Sequence, residues 1–148
     1  MAVLQNTFPD DIPEGFPGME ANGEASNIIS RTLESANCGF GKAVFRGADD
    51  QGCVTTPSAA LYGITLANRG LPVTTARAAD TYITGDTIRI KNSGTSWVLA
   101  GDDVTDGAAV YVTSGGAFTD TSGGNTALVG WVFDQTKSSG DVVRIVRR

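Results

Sequence analysis

Residues able to do chemistry are sparse in this chain, and their spacing points away from catalysis. The 148 residues include no histidine and only two cysteines, Cys38 and Cys53. Without an imidazole there is no Ser-His-Asp or Cys-His relay to activate a nucleophile, and no Gly-x-Ser-x-Gly elbow is present. Zinc wants four ligands, which two cysteines outside any CxxC pair cannot supply. Gly39-Phe40-Gly41-Lys42 imitates part of a phosphate loop. A true one continues from lysine into Ser or Thr at the mouth of a helix, whereas Lys42 leads into Ala-Val-Phe, a strand-forming string. Carboxylates are paired at Asp10/Asp11, Asp49/Asp50 and Asp102/Asp103. Calcium needs about six to eight oxygens converging from a shaped loop, and these pairs read instead as solvated turn residues. A lysine nucleophile has no supporting feature. The expectation is a protein with no catalytic residue, no cofactor and no metal.

Three aromatic residues, Trp97, Tyr111 and Trp131, fall within strand-like strings. Packing in a core is the plain reading, and a platform that stacks on sugar is the alternative. Cys38 and Cys53 read as two small buried thiols in a chain made in a reducing compartment, with a disulfide as the alternative.

The elements that must position these residues are strands. Over residues 106–148, short apolar runs alternate with turns: AAVYV, Ser114-Gly115-Gly116, AFTDT, Ser122-Gly123-Gly124-Asn125, ALVGWVFD, Ser138-Ser139-Gly140-Asp141 and VVRIVRR. Val, Ile, Tyr, Phe and Trp bounded by Gly, Ser, Asn and Asp mark successive antiparallel strands. Further strands are expected over residues 27–35, 39–47 and 61–68. Another follows Gly85, with Ile88 and Ile90 on one face and Arg89 and Lys91 on the other. Asn92-Ser93-Gly94 then reads as a turn into TSWVLA, and residues 76–79 as one helical turn. Nineteen glycines in 148 residues exceed the ~7% of average usage, and their positions between β-prone runs make them turns.

Residues 1–24 differ from the rest. A four-residue unit recurs there as Phe8-Pro9-Asp10-Asp11, Ile12-Pro13-Glu14-Gly15 and Phe16-Pro17-Gly18-Met19. A residue before proline is pushed toward extended conformation, so this is an extended arm with an apolar anchor at every fourth position. The division is an arm over 1–24 and a single β domain over 25–148. Phe8, Pro9, Ile12, Pro13, Phe16, Pro17 and Met19 are candidates for docking on a neighbouring subunit or for folding back on their own domain. Arg147 and Arg148 close a basic cluster that either protects an edge strand or meets an acidic partner.

Net charge of −5 argues against nucleic acid, which needs a basic stripe. No stretch approaches the ~20 apolar residues of a membrane helix. The start, MAVLQNTFPDD, lacks the basic and apolar regions of a signal peptide, so synthesis in the cytoplasm is expected and no membrane partner.

QNTF, ANGEASNIISR, GFGKAVFRG, TYITGDTIRI, DGAAVYV and LVGWVFDQTKSSGDVVRIVRR, in that order, resemble the structural cement, or head-decoration, proteins of tailed bacteriophages. The resemblance is weakest over residues 49–79. The pattern of the last third also resembles the wider β-tulip decoration proteins, which include the lambda-type head stabilisers. The resemblance implies an all-β, small antiparallel β-barrel or sandwich with an extended N-terminal arm. It implies assembly as a homotrimer, with a dimer as the alternative, on the outer surface of a mature capsid. There it would bridge neighbouring subunits of the major capsid protein against internal DNA pressure, the arm contributing. It carries no catalytic residue to transfer. A carbohydrate-binding surface module of a virion is the second reading.

Overall fold

The structure, a computed structural model, describes residues 14–148. Among them there is no helix. Seven strands make up the first part of the chain: β1 (Asn27–Leu33), β2 (Cys38–Gly39), β3 (Ala43–Arg46), β4 (Gly52–Val54), β5 (Leu61–Thr65), β6 (Thr81–Tyr82) and β7 (Thr87–Leu99). Four more follow: β8 (Ala109–Val112), β9 (Phe118–Thr119), β10 (Thr126–Phe133) and β11 (Val142–Arg147).

Strands β1, β4, β3, β5 and the first half of β7 succeed one another round a closed ring, because β7 pairs with β5 on one side and with β1 on the other. This is a small β-barrel. The sheet then continues from the second half of β7 through β11, β10 and β8 to β9, while β2 and β6 form a separate two-stranded ribbon. Among the strand pairs of the described residues only β1 with β4 is parallel, through Thr32 opposite Gly52 and Leu33 opposite Cys53.

The long strand β7 corrects one sequence expectation. Asn92-Ser93-Gly94 does not reverse the chain. Residues 87–93 of β7 pair in the barrel and residues 94–99 pair with β11, within a single strand of 13 residues. Gly94 has φ of 105°, and a Cβ there would come within 2.6 Å of the Ser26 Cβ. It marks an irregularity where the strand changes partners rather than a hairpin.

Strand β3 shows why this sequence lacks clean polar and apolar alternation throughout. Val44 points into the barrel with Leu33, Cys53, Ile88 and Ile90. Its neighbours Ala43 and Phe45 point the other way, onto a second core with Ile64, Val98, Trp131, Phe133 and Ile145. A strand buried on both faces reads as an apolar run. Each large side chain so enclosed stabilises the fold by roughly 1.5–3 kcal/mol.

Two other expectations are corrected. Residues 76–79 form no helical turn: Thr74 and Arg77 exchange backbone hydrogen bonds at 3.0 and 3.3 Å, and the Thr74 hydroxyl accepts from the N–H groups of Ala76 and Arg77. Such side-chain capture of backbone donors competes with helix. Lys91, expected on the outer face of a half-buried strand, is 1% exposed.

Candidate functional site

Residues 14–24 lie against the domain. The Gly18 N–H donates to the Trp97 carbonyl at 2.8 Å, the Trp97 N–H donates to the Met19 carbonyl at 3.0 Å, and Glu20 bridges antiparallel to Ser96. The segment thus adds a short rung to the second half of β7, which β11 also pairs. Ala67, just beyond β5, donates its N–H to the Gly18 carbonyl at 2.9 Å, so both polar groups of Gly18 are held.

This seat is built for close backbone approach. Gly18 has φ of 82°, and a Cβ on it would come within 2.8 Å of the Ala67 nitrogen and 2.9 Å of the Gly41 nitrogen. Gly41, with φ of 66°, faces it so closely that its own Cβ would stand 2.6 Å from the Gly18 nitrogen. Neither position has room for a side chain, and both need left-handed backbone. Beside them Gly15 rests on the Trp97 indole, where a Cβ would sit 2.7 Å from three ring atoms. Phe16 is half-buried, with the Arg69 guanidinium 4.2 Å from its ring centre. The glycines of the phosphate-loop imitation therefore have a different use: Gly41 receives Gly18.

A charged pair fixes the next residue. The buried Lys91 ammonium donates to Glu20 Oε1 at 2.7 Å and to the Thr95 carbonyl at 3.1 Å. The Thr95 hydroxyl donates to Asn22 Oδ1 at 3.0 Å, and Asn22 Nδ2 donates to Glu24 Oε1 at 3.2 Å. The Arg148 guanidinium donates to the same Glu24 oxygen at 2.9 Å and holds that carboxyl below its ordinary pKa. The last residue is thereby tied to the root of the arm.

Of the sequence candidates, Phe16, Pro17, Met19 and Arg148 gather at this seam. Arg147 sits elsewhere, half-buried, donating to the Asn92 carbonyl at 3.2 Å with its stem over Gly130. Phe8, Pro9, Ile12 and Pro13 lie outside the described residues. The edge-strand reading of the C-terminal arginines is corrected, since β11 lies between β7 and β10. Lys91, Glu20 and Asn22 were missed. The one available signal was Gly15 and Gly18, two glycines closely spaced in an arm that needs few turns.

The remaining chemical candidates resolve into structure. Glu34 Oε2 and Oε1 accept the N–H groups of Ala48 and Asp49 at 2.8 and 2.9 Å, ordering the turn that carries Asp49/Asp50. Asp103 Oδ1 accepts the Ser139 N–H at 2.9 Å and joins two loops. Cys38 and Cys53 are free buried thiols, pushed up by burial to about 11 and about 12. Trp97 and Trp131 are 4% and 1% exposed, so neither indole face is open to a sugar.

Among these residues there is no catalytic grouping, and residues 14–24 lie along an all-β body. A family model for the structural cement protein (E217 gp24/Pam3 gp6) matches residues 4–148. The chain belongs to this family of phage structural cement proteins. The cement protein is accordingly a structural component of a phage virion. Among solved structures it is similar to a chain of the capsid of Myoviridae phage XM1, with a TM-score of 0.69 and 16% identity, covering 98% of this chain and 97% of that one. A looser likeness links it to the head fiber gp8.5 N base of bacteriophage phi29, with a TM-score of 0.49 and 15% identity, covering 84% and 95% of the two chains. Comparison with curated proteins finds no match.

Proposed function

We propose that this cement protein decorates the outer surface of the mature phage head as a homotrimer and bridges neighbouring subunits of the major capsid protein. In this reading it works by binding alone, with no reaction catalysed. Residues 1–13, with Phe8-Pro9 and Ile12-Pro13, carry the reaching contact. Arg148, 64% exposed at the root, supplies a basic rim beside it. The observation that carries the reading is the family match over nearly the whole chain. The anchored root supports it, because the backbone hydrogen bonds of Gly18 and Met19 to the body fix where residues 1–13 join it. Thirteen residues span at most about 45 Å when extended, enough to cross onto a neighbour. Trimeric presentation makes the second and third contacts intramolecular, so modest individual affinity suffices.

The test compares the full chain with a variant lacking residues 1–13 on purified heads stripped of cement protein. The truncated protein is expected to keep the circular dichroism and melting of the full chain while losing at least tenfold in affinity for heads. Undiminished decoration would overturn the role of the arm.

A further inference from the structure

We infer that Glu20 and Lys91 form a latch that fixes the register of the arm's root on the body, and with it the point and direction from which residues 1–13 depart. The latch stands on its own geometry; its bearing on decoration rests on the function proposed above. Lys91 lies in the barrel wall and is 1% exposed, yet carries a charge. Beside Glu20, among the described residues, its ammonium finds one further acceptor, the Thr95 carbonyl. A buried ammonium that loses its counter-charge is strongly destabilised, so the body demands a carboxylate at that spot.

The arm can satisfy that demand in only one local register. The Gly18 seat is one sieve for register, since it admits no side chain; the charge at Lys91 is a second and independent one. A slip of one position would turn Glu20 to the opposite face, and a slip of two would offer Gly18 or Asn22, which carry no charge. The pair therefore selects by charge the same register that the Gly18–Gly41 approach selects by space.

The experiment measures amide exchange in Glu20→Gln, Lys91→Met and the double variant of the full chain. Gly18, Ala67 and Trp97, whose N–H groups cross the seam, report its opening; Thr32, Thr65 and Leu66 report the barrel. In Glu20→Gln the seam amides are expected to exchange about 100-fold faster while the barrel amides stay protected. In the Lys91→Met background, where no buried charge needs a partner, adding Glu20→Gln should change the seam by less than about threefold. Unchanged seam exchange in Glu20→Gln, or an equal acceleration with and without Lys91, would overturn the latch. So would seam protection that disappears on dilution, since the segment would then come from another copy. Decoration of heads separates the two readings. If the seam opens in Glu20→Gln but decoration persists while loss of residues 1–13 abolishes it, the arm binds without needing the latch. If the chain lacking residues 1–13 still decorates, the arm's role fails and the latch stands on the exchange data.

Discussion

Cys38 and Cys53 lie in the barrel interior with Leu33, Val44 and Ile88, and burial there raises their thiols from an ordinary value of 9.0 to about 11 and about 12. A group whose folded pKa exceeds its unfolded value contributes stability that is present below the unfolded value and lost as pH rises through the folded one. Below pH 9 both states hold the protons. Between pH 9 and 12 the unfolded chain ionises first, and stability falls by an amount on the order of a few kcal/mol. The urea midpoint is therefore expected to drop between pH 8.5 and 11, and to drop less in the Cys38→Ala/Cys53→Ala variant. Equal alkaline slopes in the two proteins would refute the assignment. The buried thiols were legible from composition, two lone cysteines outside any CxxC pair. Lys91 was not, because an Ile-Arg-Ile-Lys string gives the same alternation whether lysine meets water or a carboxylate 71 positions away.

At the scale of elements, the rung formed by Gly18, Met19 and Glu20 behaves as part of the fold. A chain beginning at residue 14 is expected to melt like the whole protein. One beginning at residue 25 leaves the second half of β7 without its cover: it loses the Trp97 hydrogen bonds and the Gly15 contact on the indole, and strips Lys91 of its partner. Its melting temperature should fall by on the order of 10 °C, from an ion pair broken at its buried lysine end and three lost backbone hydrogen bonds. Matching thermal scans of the two truncations would show the rung to be dispensable. Most strands could be read from β-prone runs between turn residues, including every strand after residue 106. Strand β7 was split in two because Asn-Ser-Gly is the composition of a tight turn, and only pairing with β1 and β11 keeps the chain extended through it. The seating of residues 14–20 on the body could not be read, since proline fixes local extension and says nothing about what lies alongside.

For the whole molecule, the decoration proposed above is mass action: a protein that bound only the expanded head would stabilise each site by RT ln(1 + [L]/Kd), about 2.7 kcal/mol at a hundredfold excess over Kd. Resistance of heads to heat should rise with the logarithm of free cement protein and then level off at full occupancy. A response independent of concentration would count against reversible decoration. The class of the fold and the family were legible from the order of several ordinary strings. The seam was hidden because its contacts join residues 15–24 to positions near 41, 67, 91–97 and 148, and no local pattern records pairings that the closed barrel creates.

Strand β7 also has a mechanical consequence. Its first half is a stave of the barrel, its second half belongs to the outer sheet, and the root of the arm is hydrogen-bonded along that second half. A pull on residues 1–13 along the axis of the rung loads the Trp97 bonds and the Lys91 ion pair together, in shear, instead of peeling them one at a time. The tension then passes into both cores through one uninterrupted length of backbone. In the bridging role proposed above, the strand that organises the fold would also be its tie-rod.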